Sequence, residues 1–224
     1  MHAVGEWQTM MARDGHTFNA WLSAPKGAPR GAVVVLQEIF GVNAHIREVT
    51  DQFAAAGYLA IAPALFDRVG HNIELGYTAE ELPRARGTML QVKTADALKD
   101  IAASVNVVKH AGRVALVGFC WGGTLAWIGA RTLPIRAAVT YYASRIGEHL
   151  DGVPAIPTLL HFGERDANIP LADVEKARAL YPQGQFHLYP AGHGFNCSAR
   201  VSYDAASAAL AWQRTLDFLR GQLG

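Results

Sequence analysis

Two cysteines in 224 residues are far too few for a disulfide scaffold. Charge is scarce as well. Only 17% of residues are charged and the net charge is +1, so no field of one sign draws the chain to nucleic acid or an anionic membrane. No apolar run approaches the roughly 18 residues that span a bilayer, and the stretch Met1–Trp21 lacks the continuous apolar segment of a secretory leader. The nine histidines are scattered without metal-ligand spacing, and His-Glu-x-x-His is missing. There is no internal repeat, no low-complexity tract and no Pro/Gly/Ser-rich linker. The expectations that follow are a cytoplasmic protein of one domain, residues 1–224, with no metal and no nucleic-acid or membrane partner. A monomer is expected, with a small homo-oligomer as the alternative.

What is present is apolar and ordered. Half the residues are hydrophobic, enough to bury a sizeable core. The start reads as a hairpin, Trp7 to Ala12 and Thr17 to Ser23 around a turn at Asp14-Gly15, with Phe18, Ala20 and Leu22 alternating. After it come continuous apolar runs at Ala32–Leu36, Tyr58–Ala62, Arg113–Val117, Ala137–Tyr141, Thr158–Phe162 and Gln185–Tyr189. Runs without polar alternation suit strands covered on both faces, as in a parallel sheet. Between them lie helical stripes: Leu98, Ile101, Val105 and Val108, and at the end Ala209, Trp212, Leu216 and Leu219. Strands alternating with helices predict an α/β, three-layer sandwich around a mostly parallel, doubly wound sheet, with active groups at the carboxyl ends of strands.

One such end carries Gly118-Phe119-Cys120-Trp121-Gly122-Gly123, directly after an apolar strand and before a helix-capable stretch, Thr124 to Arg131. Gly-x-nucleophile-x-Gly is the pattern of a nucleophile elbow, here with cysteine where serine is commoner. Glycine is needed because the sharp turn brings the backbone against its neighbours. The same turn places Cys120 at a helix N-terminus, where the dipole favours a thiolate. The alternative is a buried structural cysteine. Two later segments weigh against that. Gly163-Glu164-Arg165-Asp166 follows the fifth apolar run, and Gly192-His193-Gly194-Phe195 follows the sixth. Nucleophile, acid and histidine occur in the chain order this fold requires, each just beyond a strand.

These segments, with Gln37-Glu38-Ile39-Phe40-Gly41 and Tyr141-Tyr142, resemble the dienelactone hydrolase family, the carboxymethylenebutenolidases. The resemblance runs from residue 37 to residue 195. It implies an α/β-hydrolase fold, no cofactor, and hydrolysis of cyclic enol esters in the degradation of aromatic compounds. It further implies Cys120 as nucleophile, His193 as base and Asp166 as the acid that orients it. Glu38, otherwise a surface or capping carboxylate, becomes the group that keeps the thiol protonated at rest and accepts its proton when substrate binds. Backbone N–H groups of Ile39 and Trp121 would form the oxyanion hole.

The family's dienelactone substrates carry a carboxylate held by two arginines, whose planar fork matches it. Arg84 or Arg86 is one candidate. For the other, Cys197 occupies the position shortly after the histidine and Arg200 follows three residues later. Tyr141 and Tyr142 end a strand and are candidates to wall the pocket, with core packing the alternative for one of them. The expected activity is hydrolysis of a small ester or lactone, of the dienelactone type, through a thioester on Cys120. The alternatives are a broad-specificity carboxylesterase or thioesterase, a thiol redox protein using Cys120 and Cys197, and a non-catalytic ligand-binding relative. The absence of Cys-x-x-Cys counts against the redox reading.

Overall fold

In a computed structural model the structure describes residues 4–224, so the first three residues of the N-terminal stretch read above lie outside the described residues. The chain divides into two compact units, one up to Val114 together with Leu223, the other Ala115–Gln222 together with Gly224.

The first unit opens with the expected hairpin. Strands β1 (Glu6–Met11) and β2 (Thr17–Ser23) pair antiparallel with Trp7 opposite Trp21 and Met11 opposite Thr17. Ala12 and His16 close the turn through a backbone bond of 2.8 Å. Strands β3 (Ala32–Leu36) and β4 (Leu59–Pro63) are buried at every position and pair parallel, and β2 joins β4 antiparallel, so the order is β1-β2-β4-β3. Three valines fill the middle of β3, where a β-branched side chain suits an extended backbone packed on both faces, and β4 is built from small and aliphatic residues around Ile61. Helices α1 (Ala44–Ala55) and α3 (Thr94–Val108) pack against β3 and β4, and α2 (Leu82–Gln91) lies between them in sequence. Asn43 caps α1, its side chain accepting from the Ile46 N–H. In α3 the buried stripe is Ala97, Ile101, Val105 and Val108, with Asp100 and Ser104 between them; Leu98 is only half-buried.

The second unit is a parallel array. Strands β5 (Val114–Phe119), β6 (Ala137–Tyr141), β7 (Thr158–Gly163) and β8 (Gln185–Tyr189) run in that order, each parallel to the next. Parallel neighbours cannot be joined by a tight turn and need a longer crossover, usually helical, between strands. The helices are α4 (Trp121–Thr132) and α5 (Leu171–Leu180), and α6 (Ala205–Leu223) follows β8. The predicted runs match β3, β6 and β8 at both ends, and the other three within two residues.

The face of α6 differs from its expected stripe. Ala208, Ala211, Thr215, Phe218 and Leu219 are buried, whereas Ala209 is exposed and Trp212 and Leu216 are half-buried. The buried face lies one residue round from the apolar spacing because it includes a threonine. Thr215 enters the core through hydrogen bonds that a count of apolar residues does not register. Among the described residues no helix is long and apolar enough to cross a membrane.

Candidate active site

The site grows out of the carboxyl ends of β5, β7 and β8. Strand β5 is buried along its whole length and delivers Cys120 into a backbone conformation with φ +53° and ψ −115°. Positive φ costs a residue bearing a β-carbon about 1–3 kcal/mol, and the surroundings must hold it there. They do so through the main chain. The Cys120 N–H donates to the Tyr141 carbonyl at 3.0 Å, and the Cys120 carbonyl accepts from the N–H groups of Thr124 and Ser144, both at 3.2 Å. A side-chain bond from the Thr124 hydroxyl to the Ser144 carbonyl closes this ring of contacts. Two residues before the cysteine, a β-carbon on Gly118 would run into the Gly122 carbonyl, so glycine is required there by close approach. Cys120 is also the N-cap of α4, so that helix points its positive end at the sulfur.

The acid and histidine loops are stitched to each other. The Tyr189 carbonyl accepts from Glu164 at 2.8 Å and from Ala191 at 2.7 Å, and the Ala191 carbonyl accepts from Arg165 at 3.0 Å. The Arg165 guanidinium donates to the Pro190 carbonyl. These bonds explain why two loops separated in sequence hold one geometry. The Asp166 carboxylate is shared: Oδ1 accepts from the Asn168 N–H at 2.8 Å and Oδ2 lies 2.7 Å from His193 Nδ1. On the other edge of the imidazole, Nε2 lies 3.1 Å from Cys120 Sγ. Burial alone would push the His193 imidazolium down, but a charged Cys120 sulfur and the Asp166 carboxylate outweigh it, so once the thiol has given up its proton the ring keeps its own above the ordinary range. The arrangement can therefore store a proton on the imidazole beside a sulfur nucleophile and return it to a leaving group.

Tyr142 completes the surroundings of the imidazole. Its φ is +38°, its N–H donates to the His161 carbonyl at 2.7 Å, and its ring meets the His193 ring edge-on at 5.1 Å. Tyr141 is fully buried, as Tyr142 is, and its hydroxyl lies 2.7 Å from that of Thr215, the core packing that stood as the alternative for one of the pair. Past the histidine, Gly194 has φ +77°, and a β-carbon there would meet the Arg200 guanidinium. Arg200 is thus seated against the residue that follows His193.

Strand β3, in the first unit, is followed by Gln37 and Glu38, both fully buried. The Gln37 amide donates to the Glu38 carbonyl at 3.3 Å and accepts from the Leu65 N–H at 3.0 Å, which fixes the turn into Ile39. Phe40 then packs with Leu75 and Ala85, and its carbonyl accepts from the Leu75 N–H at 2.9 Å. Arg84 and Arg86 lie on exposed positions of α2. Both cysteines are buried free thiols, and among the described residues no group of three or more His, Cys, Asp or Glu is gathered as metal ligands.

A model of the dienelactone hydrolase family matches residues 18–223. The chain belongs to the dienelactone hydrolase family. The carboxymethylenebutenolidase of Pseudomonas putida is 34% identical over 222 residues, covering 94% of each chain. A Synechocystis protein provisionally named a carboxymethylenebutenolidase is 36% identical over 211 residues, 85% of this chain and 86% of that one. Among solved structures, a Klebsiella pneumoniae protein carrying a provisional dienelactone hydrolase name superposes with a TM-score of 0.83 at 31% identity, over 95% of this chain and 97% of the other. As a dienelactone hydrolase family member this protein has the α/β-hydrolase fold and is a hydrolase acting on ester or lactone bonds.

Residue types alone left three groups unmarked. His161, Tyr189 and Thr215 lie behind the site, and the signal was a polar residue inside an otherwise apolar stretch, such as the histidine of Thr158–Gly163.

Proposed function

We propose that the protein opens a small cyclic enol ester of the dienelactone type by covalent catalysis at Cys120. The observation that carries this reading is the line from Sγ through the imidazole to the carboxylate, 3.1 Å and 2.7 Å long, beginning on a strained elbow at a helix N-terminus. Sulfur attacks the ring carbonyl carbon and the carbonyl electrons move to oxygen. That oxyanion is received by the N–H of Trp121, the first residue of α4, and, by the family resemblance, by the N–H of Ile39. Collapse breaks the ring C–O bond, and His193 hands its proton to the departing enol oxygen, which stays attached to the same molecule. Water, giving its proton to His193, then attacks the thioester carbonyl and releases Cys120 with a free carboxylate.

Asp166 acts by position. With Oδ1 held by Asn168 and Oδ2 on Nδ1, it selects the imidazole tautomer whose Nε2 faces sulfur and stabilises the imidazolium. The resemblance adds Glu38, whose side chain is fully buried, as the group that keeps the thiol protonated at rest, accepts its proton when substrate binds and so frees the sulfur to attack, and returns that proton when Cys120 is released. A substrate carboxylate would be taken by Arg200, seated beside the histidine loop, with Arg84 or Arg86 as the second arginine. The same resemblance assigns the activity to degradation of aromatic compounds.

The test is turnover of a dienelactone and of short 4-nitrophenyl esters, with Cys120→Ala alongside. Activity surviving in Cys120→Ala would sink the mechanism, and turnover of simple esters without the lactone would keep the mechanism and discard the substrate. Glu38→Gln should change the rate at which iodoacetamide alkylates Cys120 more than it changes the urea midpoint; unchanged alkylation and unchanged turnover remove its role.

A further inference from the structure

Four hydroxyl- or imidazole-bearing side chains are buried together behind the site, where apolar residues of the same shape would pack as well. His161 is fully buried on β7, between Leu160 and Phe162. Its Nδ1 lies 2.8 Å from the Tyr189 hydroxyl on β8 and its Nε2 lies 3.1 Å from the Thr215 hydroxyl on α6. Thr215 in turn lies 2.7 Å from the Tyr141 hydroxyl on β6. At the outer end the Arg214 guanidinium donates to the Tyr189 hydroxyl at 3.1 Å. That contact sets the direction of the chain. A Tyr189 oxygen already accepting from arginine donates its own hydrogen to Nδ1, which leaves the hydrogen on Nε2 for Thr215. Every ring nitrogen of a neutral His161 is then satisfied.

The titratable and charged groups facing His161 are His187 and Tyr189 from β8, Tyr141 from β6 and Arg214 from α6. Burial, with charge on His187 and Arg214, holds its imidazolium well below the ordinary histidine range. The ring therefore acts as a neutral strut. A fully satisfied buried network contributes little net stability compared with an apolar core, and its characteristic effect is to select one arrangement.

The arrangement selected here is the active site's own. The residues tied together by side chains are the ones whose backbone carbonyls hold the catalytic elements. The Tyr141 carbonyl accepts from the Cys120 N–H, the His161 carbonyl accepts from the Tyr142 N–H, and the Tyr189 carbonyl accepts from both the acid loop and the histidine loop. Phe195, two residues past the catalytic histidine, inserts its ring among Tyr142, Tyr189 and Tyr141 at 5.4, 5.1 and 6.4 Å. We propose that Tyr141, His161, Tyr189 and Thr215 are positioning residues, a cross-brace that sets β6, β7 and β8 in register so that Cys120, His193 and Asp166 meet. This rests on the Cys120 mechanism proposed above.

The experiment measures turnover of 4-nitrophenyl acetate and the pH profile of Cys120 alkylation by iodoacetamide for Thr215→Val, Tyr189→Phe and Thr215→Ser. Displacement of reacting groups by about 1 Å costs on the order of 100-fold. Thr215→Val and Tyr189→Phe, each close in shape to the parent, should lower kcat about 10- to 100-fold with KM changed less than about 3-fold, and should displace the alkylation profile. Thr215→Ser, which keeps the hydroxyl, should restore both. Folded variants with unchanged kcat and profile would overturn the proposal. So would loss of folding in both Thr215→Val and Tyr189→Phe, which would make the network a stability element. If only one folds, that one decides. Ester turnover that survives Cys120→Ala would instead overturn the mechanism on which the brace depends, a separate and recognisable result.

Discussion

Replacing Asp166 by asparagine changes one atom's chemistry without changing shape, and the structure says what that atom would do. The Asn168 N–H holds Oδ1 at 2.8 Å. An asparagine keeps that bond by placing its amide oxygen there, which turns its NH2 towards Nδ1 of His193. Nδ1 must then accept, so Nε2 carries the hydrogen and can no longer take a proton from Cys120. The electrostatic loss is separate. The carboxylate sits 2.7 Å from the ring with 1% of its side chain exposed, so charge centres about 4 Å apart at an effective dielectric of about 20 give about 4 kcal/mol of lost imidazolium stabilisation. That is nearly three powers of ten.

The expected result for Asp166→Asn is a fall in kcat/KM of about 100- to 1,000-fold, with far-UV circular dichroism unchanged. The sign of the pH effect follows from His193, whose proton is held above the ordinary range while Asp166 and the Cys120 sulfur face it. Without the carboxylate the ring loses its proton at lower pH, so the alkaline limb of the rate profile moves down and alkylation of Cys120 at neutral pH slows. A loss below about 5-fold with an unmoved alkaline limb would refute the reasoning.

Two further outcomes test the scaffold. Arg68 spans Asp14 at 2.9 Å and the fully buried Asp100 at 2.9 and 2.5 Å, so Arg68→Met strands a buried carboxylate and should cost about 3–5 kcal/mol in urea unfolding; a loss below about 1 kcal/mol would show that Asp100 finds other compensation. His161 is held neutral when folded and takes a proton when unfolded near pH 6.5, so stability should fall as pH drops below that value, by up to about 1.4 kcal/mol per unit. In His161→Gln that slope should flatten by one proton; an identical slope between about pH 6.5 and about pH 5 would assign the acid sensitivity elsewhere.

The elements were largely legible in one dimension. Strands β3 and β6 could be bounded from apolar runs because every position is buried, whereas β8, buried only at Tyr189, was bounded by its β-rich composition alone. The helix faces were less so. Counting apolar residues in α6 selected Ala209 and Trp212, whereas the buried side runs through Thr215, because a hydroxyl with two hydrogen-bond partners can be buried at little cost. Tyr141 and Tyr142 are adjacent and chemically alike, and only the fold separates them: one hydroxyl goes to Thr215 in the core, while the other ring lies against His193.

The sequence by itself determined the family, the α/β-hydrolase fold and the ordered set Cys120, Asp166 and His193, because glycine spacing and chain order are local properties that a strand-to-helix turn imposes directly. Only the tertiary structure decided that Cys120 takes φ +53°, that the acid and histidine loops share the Tyr189 carbonyl, and that His161 and Thr215 together tie three strands to α6. Those are relations between segments 20 to 74 residues apart in the chain, set by strand register and by which polar groups must find partners once water is gone, and no local pattern encodes them.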